Sequence, residues 1–80
     1  MRLTLYVGRD CHLCEIARSE LARLRDELGF EVEEIDITGV PELEERHRRW
    51  LPVGELDGER LFAYRVEEDV LRERVSRSGG

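Results

Sequence analysis

The only two cysteines of this chain, Cys11 and Cys14, stand at the junction between a short apolar run and a helical stripe. Upstream, Leu3-Thr4-Leu5-Tyr6-Val7 ends at Gly8 and reads as a buried strand running into a turn. Downstream, Ala17, Leu21, Leu24 and Leu28 recur at helical spacing with Ile16 beside them, and Glu15, Arg18, Glu20, Arg23 and Arg25 fill the other positions. A dithiol held between a strand's carboxyl end and a helix's first turn restricts both fold and chemistry. The pair closes too small a loop to staple a domain. In a reducing compartment it is therefore chemical rather than architectural.

Eighty residues allow one domain with a small core, expected over 1–76 with a short flexible tail at 77–80. Charged residues make up 40% against a usual share of about 25%, yet the apolar residues fall in short periodic runs, so the chain is expected to fold. All 13 basic residues are Arg, and they face 19 Asp and Glu for a net charge of −6. That balance argues against binding a phosphate backbone, so no nucleic-acid partner is expected. The run Leu3–Val7 is too short for a signal-peptide core or a membrane span, which points to a cytoplasmic protein with no membrane partner.

Past the first helix, expected over about Cys11–Leu28, Gly29 supplies a left-handed cap and Phe30 the apolar contact that follows it. Phe30 to Ile37 reads as a second strand, parallel to the first because a helix separates them. Its alternation slips at Glu33-Glu34, which fits either a bulge or two differently covered faces. After Thr38-Gly39, Pro41 suits a first helical turn, and Val40, Leu43, His47 and Trp50 share one face of a short second helix. On the opposite face Glu42, Glu44 and Glu45 precede Arg46, Arg48 and Arg49 by four residues, the spacing of solvated ion pairs. Leu51-Pro52 ends that helix, and Asp57-Gly58 between Val53–Leu56 and Arg60–Tyr64 is a hairpin signal. Gly54 inside the first hairpin strand marks a bulge or a close backbone approach. Val66, Val70, Leu71 and Val75 mark a last helix with Glu67, Glu68 and Asp69 in its first turn. The expected fold is α/β, in the order β-α-β-α-β-β-α.

At the first turn of a helix, unpaired backbone N–H groups and the positive dipole end stabilise a thiolate, which makes Cys11 the nucleophile. Arg9 and a protonated His12 act in the same direction and Asp10 against it. Cys14, one turn later and nearer the apolar stripe, is placed to attack a mixed disulfide on Cys11, the resolving role. The same two sulfurs also suit a soft metal, so a copper or zinc carrier domain stays open as the alternative.

Tyr6-Val7-Gly8 followed by Cys11-His12-Leu13-Cys14-Glu15, then Glu34-Ile35-Asp36-Ile37, Pro41-Glu42-Leu43, and Leu51-Pro52-Val53 with Leu56-Asp57-Gly58, resemble the glutaredoxin-like branch of the thioredoxin-fold family, particularly its small members carrying Cys-His-Leu-Cys. The resemblance implies a mixed four-stranded sheet flanked by helices and a thiol-disulfide oxidoreductase. Catalysis would fall on Cys11 and Cys14, with protein or low-molecular-weight disulfides as substrates and a thiol reductant as donor. It also implies a cis Pro52 beside the dithiol, with the backbone of Leu51 pairing with bound peptide or glutathione. Leu51 and Pro52, with Arg9 and His12, are the candidate substrate-binding residues, and no residue is assigned to a metal. The chain departs from glutathione-using relatives in carrying Trp50-Leu51-Pro52 in place of Thr-Val-Pro, and Ala63-Tyr64-Arg65-Val66-Glu67 in place of a Gly-Gly-Asp stretch. It also lacks Cys-Pro-Tyr-Cys. No tightly bound cofactor is expected, and glutathione enters as a co-substrate whose terminal groups lose a site with the missing Gly-Gly-Asp.

Three other residues carry expectations. His47 is read as a partly buried structural histidine, Trp50 as closing the core beside Leu51-Pro52 with contact to a partner as the alternative, and Arg65 as pairing locally with a ligand carboxylate as the alternative.

Overall fold

The computed structural model describes residues 1–78. Its elements are β1 (Arg2–Val7), α1 (His12–Leu28), β2 (Glu31–Asp36), α2 (Pro41–His47), a 3₁₀ turn at Arg48–Trp50, β3 (Val53–Leu56), β4 (Glu59–Ala63) and α3 (Glu68–Ser78). The expected tail at 77–80 begins inside α3, and its last two residues lie outside the described residues.

The four strands form one sheet in the order β2-β1-β3-β4. β1 and β2 run parallel from Arg2↔Glu31 to Val7↔Asp36 without a slip. The Glu33-Glu34 irregularity is therefore a matter of two faces and not a bulge. β3 pairs antiparallel with both β1 and β4. At the β3–β4 turn, Asp57 and Gly58 both take positive φ, 53° and 79°, the two-residue geometry that matches strand twist.

Alternation along β1 sends Leu3, Leu5 and Val7 to one face, where they pack with Ala17, Leu21 and Leu24 of α1 and Leu71 of α3. Arg72 of α3 donates to Glu27 of α1 at 2.6 Å and to Glu68 at 2.9 Å, joining the two helices on that face. Tyr6 points to the other face and stacks on His47, ring centroids 4.0 Å apart. α2 thus covers the second face, and His47 is fully buried there.

Gly54 marks a register irregularity, the first of its two expected readings, and the close approach there is by a side chain and not by backbone. The β3–β4 register shifts between Gly54 and Glu55, and the Phe62 ring occupies the space a Cβ on Gly54 would need.

Two expectations about α2 fail. None of the three Glu–Arg pairs forms an ion pair among the described residues. The Arg48 N–H still donates to the Glu44 carbonyl, but the chain leaves helical dihedrals at His47, φ −120° and ψ −16°, and tightens to 3₁₀ at Arg48–Trp50, which takes Arg49 out of the four-residue register. Glu42 and Arg46 both lie within α2, and nothing in the structure explains their separation. The same rotation carries Trp50 out of the core to 40% exposure.

Candidate functional site

The loop 8–10 leaves β1 and is tied to the end of β2. The Ile37 N–H donates to the Val7 carbonyl at 2.9 Å and the Arg9 N–H to the Thr38 hydroxyl at 3.1 Å. The Thr38 N–H in turn donates to Asp36 at 2.8 Å. That hydrogen bond, with the nearby Arg9 and Arg18 charges, holds the Asp36 carboxyl below its ordinary range. Asp10 then takes φ 55°, and the chain turns into α1.

Cys11, the expected first residue of α1, is its N-cap, and the helix proper begins one position later at His12. The Cys11 sulfur accepts the Cys14 N–H at 3.1 Å, the place normally taken by a Ser or Asp oxygen. The two cysteines are joined as a disulfide with Cα atoms 5.2 Å apart, within ordinary disulfide span. The two sulfurs are not equivalent. Cys14 is 1% exposed within the core cluster, whereas Cys11 is only partly buried at its edge. An incoming sulfur nucleophile, or an outgoing Cys11 thiolate, meets solvent at Cys11.

Leu51 and Pro52 arrive at the same end of the sheet. Leu5↔Gly54 and Tyr6↔Val53 are register partners, so the chain just before β3 lies beside the end of β1. The Leu51 Cδ1 is 2.6 Å from where a Cβ on Gly8 would sit, so only glycine allows this approach three residues before Cys11. The Leu51–Pro52 peptide is cis. Its neighbours are held by a residue that no local signal singled out: the Tyr64 N–H donates to the Pro52 carbonyl at 2.9 Å and to the Trp50 carbonyl at 3.1 Å. Tyr64 itself sits at φ 74°, a left-handed conformation that costs a residue bearing a Cβ about 1–2 kcal/mol.

The remaining candidates are less closely gathered. Arg9 is exposed and acts on Asp36 at the β2 side of the loop. His12 is exposed, with Nδ1 3.6 Å from Glu15. Arg65 pairs locally with Glu67 at 3.7 Å.

A family model for the Glutaredoxin-like domain (DUF836) matches residues 2–76. The chain belongs to this glutaredoxin-like family. It is 37% identical over 82 aligned positions to uncharacterised proteins of Mycobacterium bovis and Mycobacterium tuberculosis, covering 96% of this chain and 84% of theirs. Among solved structures, protein Ne2328 of Nitrosomonas europaea is 29% identical and superposes with a TM-score of 0.79 over 91% of this chain and 88% of that one. Thioredoxin 1 of Thermosipho africanus shares the fold at 10% identity, with a TM-score of 0.67 over 100% of both chains. The glutaredoxin-like domain thus has a thioredoxin fold with a Cys11–Cys14 pair, an arrangement that fits redox-type chemistry. No helix among its described residues is long and apolar enough to cross a membrane.

Proposed function

We propose that this glutaredoxin-like domain is a cytosolic dithiol thiol-disulfide oxidoreductase. In the reduced domain the Cys11 thiolate attacks one sulfur of a substrate disulfide. A mixed disulfide forms and one substrate thiolate leaves, taking up a proton from solvent. The Cys14 thiolate then attacks the Cys11 sulfur, releasing the second substrate thiol and forming the Cys11–Cys14 disulfide. The substrate gains two electrons and the domain loses two. An external thiol returns them, and glutathione is one candidate for that donor.

The observation that carries this reading is the unlike setting of the two sulfurs. Cys11 is accessible and receives an N–H at the start of α1, while Cys14 is buried behind it. A thiolate at Cys11 gains from that donor and from the helix terminus. Leu51 and Pro52 beside the β1 end support a substrate backbone resting there.

The test is trapping with a disulfide-bonded peptide. Cys14→Ser is expected to accumulate a mixed disulfide at Cys11, and Cys11→Ser to exchange nothing. Exchange at the parent rate in both variants would sink the mechanism.

A further inference from the structure

An excess of carboxylates should leave every guanidinium in this chain with a partner. Among the described residues, however, Arg9, Arg46, Arg48, Arg49 and Arg60 form no ion pair, while the other eight arginines do. Four of those five belong to segments that converge on Trp50. Arg60 faces Glu55 in the β3–β4 register, yet its guanidinium lies over the Trp50 ring, 5.4 Å from the centroid. Glu55 instead approaches His47 at 3.9 Å. Arg48 and Arg49 share a shallow depression with Glu44 and Glu45, which leaves Arg60 as the principal cation.

Tyr64 completes the surface. Its ring is tilted against Trp50 at 5.8 Å, and it is 48% exposed although its backbone occupies a conformation suited to glycine. The fold keeps a large ring at the surface at a site where a glycine would relax the chain. The Tyr64 N–H donates to the carbonyls of both Trp50 and Pro52, which ties the pair of aromatic residues to the Leu51-Pro52 segment.

We propose that Trp50, Tyr64 and Arg60, aided by Arg48 and Arg49, dock an acidic polypeptide segment flanking the disulfide of the substrate. This rests on the exchange chemistry above and names its substrate class. The aromatic faces take apolar side chains and the free guanidiniums take carboxylates. A short segment suits the surface better than a nucleic acid. The rest of the chain sums to −9 once Arg48, Arg49 and Arg60 are set aside from the net −6, so a longer polyanion meets repulsion beyond a Debye length of about 8 Å.

The test uses three disulfide peptides of equal length whose flanking residues are acidic, neutral or basic, together with neutral hydroxyethyl disulfide. At low salt the reduced domain is expected to reduce the acidic peptide about tenfold faster than the neutral one, with the advantage fading as salt rises. Arg60→Gln and Trp50→Ala should each remove most of that advantage and leave hydroxyethyl disulfide turnover unchanged. Equal rates for the acidic and neutral peptides, with hydroxyethyl disulfide still reduced, overturn the docking surface and leave the exchange chemistry standing. No reduction of any disulfide overturns the exchange chemistry itself. Trp50 is the only tryptophan, so its fluorescence reports occupancy directly. Quenching by the acidic peptide supports the proposal, and tighter quenching by a single-stranded oligonucleotide replaces it with nucleic-acid binding.

Discussion

The Cys14 backbone N–H donates to the Cys11 sulfur at 3.1 Å, so the second cysteine stabilises the first through its main chain as well as facing it through its thiol. The Cys14 side chain is buried while its N–H serves the exposed end of the pair. Cys14 therefore supplies the helix donor that Cys11 caps, and in the proposed exchange it is also the resolving thiol. The reduced domain should consequently be alkylated at Cys11 well before Cys14. Limited iodoacetamide labelling followed by peptide mapping reads this order, and equal labelling of both thiols would refute it.

Gly54 and Gly8 make opposite predictions. A Cβ at Gly54 meets the Phe62 ring, a buried side chain with little room to move, so Gly54→Ala should cost about 1–3 kcal/mol in chemical denaturation. A Cβ at Gly8 meets only the Leu51 Cδ1, which can rotate away. Gly8→Ala should leave stability nearly unchanged and slow exchange with peptide disulfides by displacing Leu51. A Gly54→Ala variant as stable as the parent would contradict the close packing of β3 on β4.

Acid should weaken the second face of the sheet before it weakens the first. Burial depresses the His47 pKa below its ordinary 6.5, Glu55 opposes that shift, and Arg60 and Arg46 add to it. The folded domain therefore prefers neutral His47. Its contribution is present above pH 6.5 and is lost as pH falls below that value toward the folded pKa. Asp36 and Glu68 are also held below their ordinary ranges, by Thr38 and by Arg72 with Arg23, so their contributions are lost only lower, as pH falls below about 4. Denaturation midpoints at pH 8 and pH 5.5 should differ in the parent and converge in His47→Phe. The same pH dependence in both would place the titration elsewhere.

These contrasts show which parts of the molecule local sequence can encode. Asp57-Gly58 specified its hairpin because both residues tolerate positive φ. Gly29 capped α1 as expected, with its N–H on the Arg25 carbonyl. The dithiol was legible because a cysteine pair at a strand end is rare enough to carry meaning, whereas the place of Leu51-Pro52 beside it came through the family resemblance. Trp50 was misread because Val40, Leu43, His47 and Trp50 share a face only while the α-helical period lasts, and it stops at His47. The Glu45–Arg49 ion pair failed for the same reason. Tyr64 left no trace, since nothing about a tyrosine announces a positive φ or a shared N–H. Both depend on β4 ending where the chain before β3 begins.

The reduction potential of the Cys11–Cys14 pair tests the central claim most directly. Metal-free domain is equilibrated in graded reduced and oxidised glutathione, quenched by alkylation and weighed by mass spectrometry. The account predicts a two-electron transition between dithiol and Cys11–Cys14 disulfide, with a midpoint between about −270 and −120 mV. A pair that forms no disulfide, halts as a stable glutathione adduct or retains stoichiometric copper or zinc through purification would contradict it.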